Sequence, residues 1–192
     1  MERTGTMQDI RAYIESLVNT KYKWWLEGPT GSEEPFYAAN GPPPSLKQIK
    51  AKGLNSVGFI NLLRRYQGLE VPGVKEERWN AGGIYVWFRY LDQRNVLQPF
   101  ELSKLYPPGT LLIRDYVSVF DQGHVAISMG LNRIAHCYPD NPNPIANILV
   151  EPGVLIEPLN LSTNWGFHGY YTHTVAPEDW IFKCDRTMSQ IA

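Results

Sequence analysis

"GLNSVGFINLLRR", Gly53 to Arg65, is the stretch on which the fold turns. A glycine and an asparagine precede a run in which Phe59, Ile60, Leu62, Leu63 and Tyr66 recur at helical spacing. That pattern predicts a buried helix starting at about Asn55, with Gly68 placed to end it. Ser56 falls in the first turn. A helix start gathers positive dipole and backbone N–H groups that have no acceptor within the helix, so it stabilises an anion. A small hydroxyl there is either an ordinary first-turn residue or stands where a nucleophile belongs. The rest of the chain decides between them.

Outward from this helix, the first half reads as helical and the second as stranded. Thr6 and Asp9 can cap a helix that carries Ile10, Tyr13, Ile14, Leu17 and Val18 on one face. Residues 27–45, "EGPTGSEEPFYAANGPPPS", hold five prolines and three glycines and read as a long loop bordering a groove. A third helix is expected over Gly83 to Arg94. After Pro107, Pro108 and Gly109 come the strands "TLLIRD", "GHVAISM" and "RIAHC", with a turn around Gly130 to Asn132, then two further strands in "NILVEPGVLIEP" and "GFHGYYTHTV". The class is α+β, with N-terminal helices packed on one face of an antiparallel sheet. One domain is expected over 1–192, with a core from about 8 to 182 and a polar tail over 183–192.

Composition excludes several function classes. The chain has 192 residues, 43% of them apolar, and 18 basic against 19 acidic side chains give a net charge of -1. Without a basic patch, nucleic acid is not an expected partner. No segment has the length of a membrane span, and "MERTGTMQDIRAY" lacks the pattern of a secretory signal, so the expected location is cytoplasmic, or outside the cell by a route that needs no such signal, as for an effector or a viral protein. Cys137 and Cys184 are too few for a disulfide scaffold. A monomer is expected.

His124 and His136 lie 12 residues apart, one in each arm of the expected hairpin. Centring the turn on Gly130 sets the two imidazoles opposite each other on one face, so that one can orient the other. A nucleophile at a helix start, an imidazole base and an orienting polar group form the arrangement used in covalent acyl transfer. A zinc site from His124, His136 and Cys137 is disfavoured, because adjacent strand residues point apart, and no metal or cofactor is expected. His168 and His173 read as structural or rim residues.

These residues resemble the NlpC-type cell-wall peptidases, papain-like cysteine hydrolases. The family pattern is a "Y-x-W" segment after a first helix, "D-C-S-G-F" opening the nucleophile helix, "P-G-D-L" before a strand, "G-H-V-G-I" carrying the base and "h-H-A" carrying the orienting histidine. Here "KYKWW" supplies Tyr22 and Trp24, "NSVGF" aligns Ser56 with the cysteine, "PPGTLLI" leads into the strand, "GHVAI" aligns His124 with the base, and "IAHC" aligns His136 with the orienting residue. The resemblance runs from about Gln8 to Cys137. It implies a papain-like NlpC-type fold, helices on an antiparallel sheet or half-barrel, and cleavage of an amide or peptide bond. It further implies Ser56 at the nucleophile position, His124 as base, His136 as orienting residue, and Tyr22, Asn55 and Trp24 near the substrate or its oxyanion. A peptide, a peptidoglycan stem or another acyl compound is the expected substrate.

The chain departs from that pattern at Ser56, Asn55, Val57 and Thr110. In peptidoglycan-cleaving relatives the acid and the serine flanking the cysteine help hold a free amine on the peptide stem, and both are replaced here. Serine at position 56 has three readings: a cysteine replaced to give an inactive protein, a natural serine-dependent acyl hydrolase, or a pseudoenzyme that keeps the groove for binding.

Overall fold

The computed structural model describes residues 6–23, 36–78, 80–118, 122–138, 152–159 and 171–182. Helix α1 spans Met7–Leu17, α2 Leu46–Lys52, α3 Ser56–Tyr66 and α4 Ile84–Gln93. The strands are β1 Gln98–Pro99, β2 Leu111–Arg114, β3 His124–Gly130, β4 Arg133–Tyr138, β5 Gly153–Pro158 and β6 His173–Val175, and a short helix, α5, covers Pro177–Trp180. The strands form one antiparallel sheet in the order β1-β6-β2-β3-β4-β5. The fold is α+β.

Local chemistry sets the helix boundaries. Thr6 and Asp9 form a reciprocal capping box at α1. Ser45 and Gln48 form a second at α2, a helix hidden behind three prolines that sequence periodicity did not reveal. At α3, Asn55 is the cap residue, and past its end Gly68 takes a left-handed φ of 67°.

Strand alternation divides the core into two layers. Leu111, Ile113, Val125, Ile127, Ala135 and Cys137 point to the helices and join Ile10, Ile14, Phe59, Ile60 and Trp87 in the main core. Leu112, Ala126 and Ile134, on the alternate positions, pack with Tyr106, Leu159 and Tyr171 on the other face. Buried polar groups on α3 tie it to its surroundings. Asn61 donates to Phe36 O and Gly82 O and accepts from Trp87 Nε1, while Arg64 donates to Glu70 O, Trp180 O and Tyr90 Oη.

The hairpin that carries the histidines differs in register from the sequence expectation. The turn is Leu131–Asn132, both with left-handed φ (50° and 57°), as a tight two-residue loop requires. Gly130 pairs with Arg133, and an irregularity between Ser128 and Gly130 shifts the ladder so that Ile127 pairs with Ala135. Continued along the strands, that register sets His136 opposite Ala126. The imidazoles share a face as expected, but they are diagonal neighbours rather than directly opposed. The physical reason is the turn: set at Leu131–Asn132 and not centred on Gly130, it offsets the register, and the bulge takes back one residue, which returns the two imidazoles to one face.

Candidate active site

Ser56 is the first residue of α3, and the cap at Asn55 fixes how the chain enters it. Asn55 Oδ1 accepts from Gly58 N at 2.7 Å, and Asn55 is 5% exposed. Its side-chain oxygen is therefore committed to the helix. Just before it, Gly53 takes a φ of +86°, and a Cβ there would lie 2.9 Å from Lys21 O. The absence of a side chain lets the segment before the helix run against the Lys21–Tyr22 segment. Leu54 N donates to Lys21 O at 3.0 Å, and Lys23 N donates to Leu54 O at 2.7 Å.

These contacts set the start of α3 at one end of the sheet. Cys137 Sγ donates to Leu54 O at 3.3 Å. Tyr138, the last residue of β4, pairs with Gly153, which also bridges to Lys21. His124 opens β3 at the same end, with its ring 5.4 Å from that of Tyr138. Tyr22, the start of α3, His124 and the close of β4 thus lie at the same end of the sheet.

The two imidazoles are in direct contact. His124 Nε2 lies 2.9 Å from His136 Nδ1, with ring centroids 5.2 Å apart. His136 has no exposed surface, whereas His124 is half-buried. Both leave the sheet on the face of the smaller cluster, where the Tyr171 ring stands 6.0 Å from that of His124 and the Tyr138 ring 5.2 Å from that of His136. Arg114, 7% exposed, is the direct cross-strand partner of His124 on β2.

A group that sequence reasoning missed completes the row. Glu157 Oε1 lies 3.0 Å from His136 Nε2. The approach is out of line for an aligned hydrogen bond, and among the described residues neither buried atom has another hydrogen-bond partner. On β5, Glu157 pairs with Ile134 while Leu155 pairs with His136, which makes Glu157 a diagonal neighbour of the imidazole. No local motif announces it, because only the β4–β5 register joins residues so far apart in sequence.

Electrostatics separate the nearby hydroxyl and thiol groups. Burial pushes the Tyr22 phenol well above its ordinary range, and Cys137 and Tyr138 add to the effect, so it remains a protonated O–H. Burial alone pushes the Cys137 thiol up. It is a neutral donor to Leu54 O, on the helix side of β4, and not a reactive sulfur. Trp24 lies outside the described residues, as do His168, Cys184 and residues 27–35 of the proline-rich region. His173 sits apart, on β6, with Nδ1 against Thr172 Oγ1 at 2.9 Å and its ring against Phe88.

No protein-family model matches the chain, and no curated protein matches it in sequence. Among solved structures, an NlpC/P60 family protein from Bacillus cereus matches over 91% of this chain with a TM-score of 0.50 and 16% identity. The fold is NlpC/P60-like. This chain spans 41% of that protein's length, and at this identity the likeness is one of fold. Among the described residues, no helix is long and apolar enough to cross a membrane.

Proposed function

We propose that the protein is built as a cysteine-peptidase-like hydrolase in which position 56 is the nucleophile position, His124 the base and His136 the residue that orients it. The observation that carries this reading is the 2.9 Å contact between His124 Nε2 and His136 Nδ1, at the end of the sheet where α3 begins. One ring nitrogen of His124 is thereby engaged by His136. Its Nδ1 is the atom that takes the proton from residue 56.

With a thiol at position 56, the pair forms thiolate and imidazolium. The thiolate attacks an amide or ester carbonyl, and the oxyanion is met by backbone N–H groups that open α3, joined by the Tyr22 hydroxyl. His124 then protonates the leaving group. Water activated by the same imidazole releases the acyl group. With serine, the hydroxyl is far harder to deprotonate, so the Ser56 form is expected to turn over slowly or not at all and to keep the groove for binding. The substrate class is a peptide, a peptidoglycan stem or another acyl compound. The role of Asn55 as helix cap, and Val57 beside the nucleophile position, argue against a stem held by its free amine.

Ser56→Cys tests the reading. The thiol introduced at position 56 should be alkylated by iodoacetamide at a pH of about 6, where an ordinary thiol with a pKa of about 8.5 is almost wholly protonated. Cys137 should stay unlabelled in the folded protein, and His124→Ala in the same background should remove the fast reaction. If the introduced thiol labels no faster than Cys184 at that pH, position 56 is not a nucleophile site.

A further inference from the structure

We propose that Glu157 is a positioning residue for the same site: it holds the proton of His136 on Nε2 and, through that ring, leaves His124 Nδ1 as the basic nitrogen. The inference rests on the reading of His124 as base. An ionised carboxylate is acceptor-only, so the nitrogen it faces at 3.0 Å is the one that carries hydrogen. In a neutral imidazole the other nitrogen is then the acceptor. His136 Nδ1 accordingly accepts from His124 Nε2 across their 2.9 Å contact, and the remaining nitrogen of His124 bears a lone pair.

The surroundings make this order hard to invert. His136 is fully buried, and among the described residues neither its Nε2 nor Glu157 Oε1 has another hydrogen-bond partner, so moving the proton to Nδ1 would strand two buried acceptors against each other. Among the described residues, the titratable and charged groups around the pair include His124 on β3, Tyr138 on β4, Glu157 on β5, Tyr171 against His124, and Arg114 across from His124 on β2. Among these described groups Glu157 is the acid. When residue 56 gives its proton to His124 Nδ1, the new positive charge is shared along the two rings toward the Glu157 carboxylate.

Ring-nitrogen NMR on the Ser56 protein, at a pH of about 8 where an ordinary histidine is neutral, reads the tautomers without any need for turnover. Both rings are expected as Nε2–H forms. Glu157→Leu should move the His136 proton to Nδ1 and force His124 into the Nδ1–H form. A His136 that carries its proton on Nδ1 in the unmutated protein, or one whose tautomer is unchanged by Glu157→Leu, overturns the proposal. In the Ser56→Cys background, Glu157→Gln should slow iodoacetamide labelling at position 56 by about tenfold, as expected for a partner acting through another residue. An unchanged rate in that folded variant also overturns it. Should the thiol of Ser56→Cys alone label no faster than Cys184, the nucleophile reading fails by itself, and the tautomers still decide the role of Glu157. Should Glu157→Leu not fold, the labelling rate of Glu157→Gln and the tautomers of the unmutated protein decide it.

Discussion

A fully buried imidazole has two nitrogens to place, and His136 sets one at 2.9 Å from His124 Nε2 and the other at 3.0 Å from Glu157 Oε1. Leaving either buried group unpaired would cost about 1–3 kcal/mol, which is why a residue with no exposure keeps so defined a pair of neighbours. The two histidines were legible because each sits inside a short strand pattern at an even spacing. Glu157 was not, since its place beside His136 depends on a register that spans residues outside any local pattern. The roles of the two rings differ in consequence. In the Ser56→Cys background, His124→Ala removes the proton acceptor and should abolish fast labelling, whereas His136→Ala only loosens the base and should slow labelling by roughly 10–100-fold. Equal losses from both substitutions would mean that His136 does more than orient. Position 55 carries a separate expectation. Asn55→Ala deletes the acceptor of Gly58 N and should lower stability by about 1 kcal/mol, measured by urea unfolding.

The long, periodic elements could be read from sequence, and the short ones could not. Helices α1, α3 and α4 announce themselves through apolar spacing, caps and terminal glycines, and β2 to β4 through apolar runs between turn residues. Helix α2 is seven residues long and follows a proline run, so its Ser45–Gln48 capping box was the sole local signal. The turn at Leu131–Asn132 made an expected direct pairing of imidazoles a diagonal one, and the bulge in the β3–β4 ladder, which gives no compositional mark, keeps the two rings on one face. Gly53 is the element-scale residue on which the site most depends. It ends α2, its left-handed φ suits glycine, and the Lys21 carbonyl occupies the space a Cβ would need. Gly53→Ala therefore combines backbone strain with displacement of the Lys21–Tyr22 segment. It should cost on the order of 1–3 kcal/mol and weaken labelling in the Ser56→Cys background more than Asn55→Ala does. A Gly53→Ala protein with unchanged urea midpoint would refute the close-approach argument.

Across the molecule, the core is built with several phenols and a thiol inside it, and this sets a direction for stability against pH. Burial pushes the Cys137 thiol up, pushes the Tyr13 and Tyr22 phenols above their ordinary range, and raises Tyr37 to about 12. Each of these groups is neutral when protonated, and its folded value lies above its unfolded one. Their contribution is therefore complete below the unfolded values, about 8.5 for the thiol and about 10 for the phenols, and is lost progressively as pH climbs from there through the folded values. The unfolded chain releases protons that the folded chain still holds, so unfolding free energy must fall with rising pH. Urea midpoints should be level between pH 7 and about 8.5, decline beyond, and drop more steeply above about 10. Growing negative charge would also lower them, and Tyr37→Phe separates the two causes. Tyr37 Oη donates to Gly53 O at 2.8 Å, so the substitution should cost about 0.5–1.5 kcal/mol at pH 7 and, by deleting one phenol that must ionise on unfolding, flatten the decline above pH about 10. A variant whose alkaline decline is as steep as that of the unmodified protein would assign the loss to general charge repulsion and not to the buried phenol.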